Sequence, residues 1–352
     1  YQGNFTRQVF ESLLLPADWW SLEAVEFYDK ISFLKAGLVF SDQLTTVSPC
    51  YAKEILTPEL GCGLQGVLAY YQEKLQGILN GADYSLWDPR QDHYLIQRYG
   101  IESLVRKVEN KRFLQRTLGL PCNDNVMVIG LVSRLVHQKG VDAVMPLIEA
   151  FRDYPVQWVI LGTGDAWFEH ELTLIAKKMP SIVSVTTGYD EGLAHRIEAG
   201  SDVFVMASRY EPCGLNQLYS LRYGTLPIVR RTGGLADTVV DIDSAAEKGE
   251  TGTGFVFEHP TSESLAGAIK RAFARFGQKA QWAQYQMAAM RQDYSWDKSA
   301  TAYEKVYQAA IDAHLPVRNK LGSATANRAK PLGSAEKEMT KKTNGGGSRS
   351  DK

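Results

Sequence analysis

No apolar run in these 352 residues approaches the ~20 needed to span a bilayer, so no membrane segment is expected. Cysteine is scarce. The four present, Cys50, Cys62, Cys122 and Cys213, include no CxxC pair. In a chain this long they do not read as a disulfide framework, which leaves reduced thiols and a cytoplasmic setting as the expectation. An excess of either charge is missing too: the formal net charge is -1, which gives no basis for nucleic-acid binding. The six histidines lack ligand spacing, and no paired carboxylates are placed to hold Mg²⁺, so neither a metal nor a cofactor is expected. The residues given show no leader-like pattern, so no secretory leader is expected, and no internal repeat; the sequence opens on Tyr1-Gln2-Gly3-Asn4-Phe5 rather than on Met. What remains is an ordinary globular composition, 44% hydrophobic and 22% charged, in a length that suits two domains.

From Asn125 onward, short apolar segments alternate with helical ones. Strands are expected at Val126–Val132, Gln157–Leu161, Ile182–Thr186, Val203–Met206, Pro227–Val229 and Gly254–Phe257. Helices are expected at Val141–Phe151, Ala166–Lys178, Gly192–Ala199 and Leu215–Tyr223. This alternation predicts an α/β fold with a parallel, doubly wound sheet, whose ligands bind beyond the carboxyl ends of the strands. Arg134, Gly162, Tyr189 and Glu211 each follow one of the first four strands. Residues 1–120 read as helices and loops, with a helix over Phe27–Val39, a strand at Leu44–Val47 and a crossover at Gly77–Pro89. Residues 262–313 read as helical. Beyond His314, nine Lys/Arg, three Asp/Glu and a GGGS run predict a disordered basic tail over 315–352.

The most informative stretch is Ser208–Leu218, SRYEPCGLNQL. A strand, a glycine turn and a helix N-terminus offer unpaired N–H groups to an anion. Glu211, in the same turn, can stabilise positive charge developing beside that anion, a pairing suited to a sugar joined to a phosphate. Taken alone, Glu211 reads equally well as a helix-capping acid. Arg134 and Lys139, on GLVSRLVHQKG, are two cations leaving a strand; alone they read first as loop charge. At a diphosphate leaving group they would stabilise the transition state above the ground state. Gly162 and Gly164 in LGTGD lack the third glycine of a dinucleotide fingerprint and read as a tight strand-to-helix turn.

Together with YGTLPIVRRTGGLADTV at Tyr223–Val239, these segments resemble the bacterial glycogen synthase and plant starch synthase family. The resemblance runs from Tyr1 to about Ala313. It implies the GT-B architecture, two Rossmann-like domains facing each other across a cleft. It implies α-glucosyl transfer from ADP-glucose to the non-reducing end of an α-1,4-glucan such as glycogen. By this resemblance Glu211 is the essential glutamate, and Cys213, Gly214, Leu215 and Asn216 contact the sugar or diphosphate. Asn216 stands where the family usually has Thr. Cys213 is expected to pack or to touch the sugar, since no adjacent His lowers its pKa. Tyr189 is implied to stack on the base, the alternative being a half-buried core tyrosine, and Asp190 stands where a His is common. Asn80 and Asp83 line the cleft. The second glycine turn, with Thr232 and Gly233, could lend donors to phosphate or hold the loop that carries Glu211.

The resemblance also implies that most of the first domain, including a Lys-x-Gly-Gly-Leu loop and a His just before Tyr1, is absent. The expected organisation is residues 1–120 as the closing part of the first domain plus the crossover, 121–300 as the nucleotide-sugar domain, and 301–314 as a helix bracing the first domain. Retention of configuration, with no second acid suited to be a nucleophile, predicts front-face displacement. Alternatives are another retaining GT-B transferase that uses UDP-glucose, and a non-catalytic nucleotide-sugar or glucan-binding fragment.

Overall fold

The structure is a computed structural model and describes residues 2–326. Its first part carries little sheet. Strand β1 (Asn4–Thr6) and the hairpin β2 (Glu26–Phe27) and β3 (Lys30–Ser32) form an antiparallel sheet in the order β1-β3-β2. Strands β4 (Leu44–Thr46) and β5 (Leu75–Gly77) pair in parallel. The helix expected over Phe27–Val39 is therefore half hairpin. Tyr28 and Asp29 take φ of 51° and 58°, which makes the turn. The helix starts only at Phe33, where Ser32 Oγ accepts from Lys35 N. Phe27, Ile31 and Leu34 fit helical spacing as well as a strand and the turn after it, which is why periodicity misassigned them.

The second part is built on one sheet of six parallel strands: β6 (Met127–Leu135), β7 (Val156–Gly164), β8 (Val183–Thr187), β9 (Val203–Met206), β10 (Leu226–Arg230) and β11 (Phe255–Phe257). Their order is β11-β10-β9-β6-β7-β8. Each expected strand is present within a few residues. Side chains alternate across the sheet. Ile129, Leu131, Trp158, Ile160, Val203 and Val205 face one core, with Val144, Ile148, Leu265 and Ile269 from covering helices. Val128, Val159, Leu161 and Phe204 face the other, with Leu193 and Ile197. Both faces are buried, so each strand reads as a continuous apolar run. Each buried aliphatic side chain contributes roughly 1.5–3 kcal/mol, and Phe204→Ala is expected to cost about 3–5 kcal/mol.

Helix Lys107–Thr117, grouped above with the first domain, buries Leu114 in that second core. It thus belongs with the six-stranded sheet. Gly162 and Gly164 do not form a turn. They are strand residues of β7, paired with Ser133 and Leu135 of β6. Three helices follow β11 among the described residues: Ser262–Phe276, Lys279–Met290 and Trp296–Ala326. The last begins against the crossover, where Ser299 Oγ donates to Leu79 O at 2.7 Å and Ser295 bridges Ala82. It runs on through residues 315–326, so the expected tail does not begin at His314. The rest of that tail, 327–352, lies outside the described residues. No helix among those described is long and apolar enough to cross a membrane.

Candidate active site

The strand order reverses between β6 and β9: the chain runs outward to β7 and β8 on one side, to β10 and β11 on the other. Such a switch point parts the loops at the carboxyl ends of the two strands and opens a crevice. A cavity of about 350 Å³ lies there, lined by Arg134, Lys139, Ser208, Glu211, Gly214 and Asn216, among others. The loops after β6 and β9 are tied together along their length. Arg209 N donates to Gln138 O at 2.8 Å, and Gln138 Nε2 donates to Tyr210 O at 3.3 Å. Gly140, at φ 69°, allows the closest approach; a Cβ there would sit 2.0 Å from Ala207 O.

That approach places Lys139 Nζ on Glu211 Oε2 in an ion pair. Ser208 Oγ donates to the same oxygen at 2.9 Å. Glu211 is only 7% exposed, and both bonds hold its carboxylate in one orientation. Arg134, the last residue but one of β6, is exposed at the cavity and donates from Nη2 to Gln138 Oε1 at 3.0 Å. The structure therefore gathers all three expected catalytic residues, with Lys139 seated on the glutamate rather than free in the loop.

Cys213, Gly214, Leu215 and Asn216 follow. Helix Asn216–Tyr223 begins here, and its first N–H groups face out of the helix toward the switch point. Gln217, fully buried, donates from Nε2 to Cys213 O at 2.9 Å and Gly214 O at 3.3 Å. Among the described residues every peptide is trans. The N–H groups of Gly214 and Leu215, on the opposite edges of those peptides, thus point away from Gln217. Asn216 Nδ2 donates to Val132 O at 2.6 Å, which spends its amide on the strand β6 rather than leaving it free. Burial raises the Cys213 thiol pKa; Asn80 N, donating to Sγ at 3.4 Å, works weakly against that. The thiol stays protonated, which suits a packing role.

Asn80 thus reaches the turn through its backbone. Asp83 instead closes its own turn, accepting from Ser85 N and Oγ. Asp190 caps helix Glu191–Gly200, accepting from Leu193 N at 2.8 Å. Tyr189 lies after β8, 86% exposed and outside the cavity lining.

Of the two roles open to the second glycine turn, the contacts it makes are those of holding the Glu211 loop, not of lending donors to phosphate. Thr232 Oγ1 and Gly233 N both donate to Glu54 Oε1, at 3.0 and 2.9 Å. Their donors are occupied by a carboxylate of the chain itself and are not available to a substrate. Gly233, at φ 43°, packs against the Glu211 turn, where a Cβ would lie 1.9 Å from Glu211 O. Gly234 N donates to Glu211 O and Pro212 O at 3.1 Å each. The turn's job is to buttress the Glu211 backbone. Glu54, Ser208, Gln138 and Gln217 were not singled out in the sequence. Among the described residues no cluster of His, Cys, Asp and Glu could hold a metal.

Comparison with known proteins gives two family matches, a starch synthase catalytic domain over residues 1–70 and glycosyl transferases group 1 over residues 115–287. The chain is 49% identical to glycogen synthase 2 of Nitrosococcus oceani over 91% of this chain and 65% of that protein. It is 49% identical to the glycogen synthase of Cellvibrio japonicus, over 87% of this chain and 64% of that one. The chain therefore spans just under two thirds of the length of the curated relatives it matches. The catalytic domain of starch synthase IV from Arabidopsis thaliana, solved with ADP and acarbose, superposes with a TM-score of 0.82 at 34% identity, over 89% of this chain and 65% of that one.

Proposed function

Because this chain belongs to the glycogen and starch synthase family of GT-B glycosyltransferases, we propose that it supplies the nucleotide-sugar side of a glucan-elongating enzyme. The donor is ADP-glucose, the acceptor is the non-reducing end of an α-1,4-glucan, and the setting is cytoplasmic. The observation that supports this most is the Glu211 carboxylate, held by Lys139 and Ser208 at the switch point, with Arg134 beside it. The choice of ADP is supported by the nucleotide bound to the Arabidopsis relative.

In this reading the donor diphosphate lies over the outward N–H groups of Gly214 and Leu215 and the helix N-terminus behind them, which favours negative charge. Arg134 grips it, and Lys139, held on Glu211, adds a second positive charge beside the bond to the anomeric carbon. As that bond lengthens, negative charge grows on the leaving phosphate and positive charge on the sugar ring. Fixed cations meet the first and Glu211 the second, so both are stabilised more in the transition state than before it. The acceptor 4-hydroxyl attacks from the side the diphosphate leaves. Its oxygen bonds to the anomeric carbon, and its proton passes to the departing phosphate oxygen. Retention follows without an enzymic nucleophile on the far face.

Transfer of labelled glucose to glycogen, with ADP-glucose and UDP-glucose in parallel, tests the proposal. Faster incorporation from ADP-glucose is expected. Preference for UDP-glucose would replace the donor, and ADP binding without transfer from either donor, at the length of the relatives, would leave a binding fragment.

A further inference from the structure

A second and larger cavity, about 520 Å³, lies at the far end of the helix that opens on the Glu211 turn. The helix spans Asn216–Tyr223, so its ends are about 12 Å apart. Four arginines line this cavity, Arg90, Arg98, Arg106 and Arg222, against two acids, Asp88 and Glu102. Asp88 is 1% exposed and binds two of the arginines: Arg90 donates to it in a fork from Nε and Nη2, and Arg222 donates from Nη2. Those pairs fix the wall. Arg98 is held by its Nε on Asp92 O at 3.1 Å, and among the described residues neither it nor Arg106 has a carboxylate partner. The lining thus keeps a surplus of two positive charges in a concave site of ligand size.

We infer that this cavity binds a phosphate monoester carried on a small organic group. Such a group brings about two negative charges at neutral pH, which matches the surplus. Guanidinium forks suit its oxygens, with charge-assisted bonds that a neutral ligand cannot make. A neutral glucan is the poorer fit, because the ring in the lining, Tyr99, is 2% exposed and offers no face for a sugar to stack on. The site is distinct from the Arg134 cavity and does not depend on the reaction proposed there.

The test is calorimetric titration of the full chain with inorganic phosphate, glucose 6-phosphate and AMP, on wild type, R98A/R106A and R134A. The expected result is binding of at least one phosphomonoester that weakens tenfold or more in R98A/R106A and is unchanged in R134A. Equal binding of inorganic phosphate would assign the affinity to the anion alone and overturn the organic part of the proposal. Absence of binding at ~10 mM of all three, or loss in R134A with retention in R98A/R106A, would overturn the site. If the double variant does not fold, R106Q, a change at an exposed and unpaired residue, reads the same difference.

Discussion

Two glycine turns leave neighbouring strands of one sheet, Pro212–Leu215 after β9 and Arg231–Gly234 after β10, and they do different things. The first has its carbonyls drawn inward by Gln217 and its N–H groups turned out toward an open cavity. The second has its donors filled by Glu54, a carboxylate from the first part of the chain. Both are strand–glycine–helix turns of the type that binds anions. What separates them is the neighbour. A carboxylate already in place excludes a phosphate from the β10 turn and converts it into a support for the Glu211 backbone. Helix length agrees: Asn216–Tyr223 has eight residues, Gly233–Thr238 six.

Removing the charge from the open turn should have the largest effect. Glu211→Ala is expected to lower kcat for glucosyl transfer by about 10³-fold or more while ADP affinity changes little. Next come the cations: Arg134→Ala and Lys139→Ala should each cost about 10²-fold in kcat/KM, and Arg134→Ala should also weaken donor binding. Glu54 sharpens the contrast. Glu54→Ala leaves the Thr232 and Gly233 donors unpaired and should lower kcat about tenfold with donor KM nearly unchanged, and Glu54→Gln should recover most of it through its amide oxygen. If the β10 turn bound phosphate, Glu54→Ala would instead tighten ADP.

A smaller effect lies where helix Glu191–Gly200 meets the helix behind the open turn. Glu198, 1% exposed, accepts from Ser220 Oγ, and burial pushes its pKa up to about 8 from an ordinary 4.5. The folded state therefore holds a proton that the unfolded state releases, and stability falls as pH rises through that window. Glu198→Gln removes this slope. Between pH 5.5 and 8 the variant should gain ~1–3 kcal/mol on wild type, read from urea midpoints. Asn216→Thr, which exchanges the bond to Val132 O for a shorter hydroxyl, should change kcat less than about threefold.

Much of the second half was legible from sequence because a sheet buried on both faces leaves a plain signature. Val128, Ile129, Val159, Ile160, Phe204 and Val205 are apolar whichever way they point. Arg134, Lys139 and Glu211 lie near strand ends at one edge of the sheet, but position alone left them as loop charge and a helix cap; the resemblance of their segments to a known family made them legible. The first part was harder: its strands are two or three residues long, and Phe27 and Ile31 satisfy a helix and a hairpin alike. Glu54 was invisible, since it meets Gly233 across 179 positions and no local pattern marks that contact. The length of the final helix was missed because composition, which predicts disorder from charge and glycine, does not locate where a helix already under way must stop.

The most direct measurement compares single-turnover glucosyl transfer from ADP-glucose to glycogen in wild type, Glu211→Ala and Glu54→Ala, in this chain and in one lengthened to the span of its relatives. The account predicts transfer that vanishes in Glu211→Ala, with ADP still bound, and persists about tenfold slower in Glu54→Ala. Loss of transfer in Glu54→Ala with Glu211→Ala still active would contradict it and move the chemistry to the other turn.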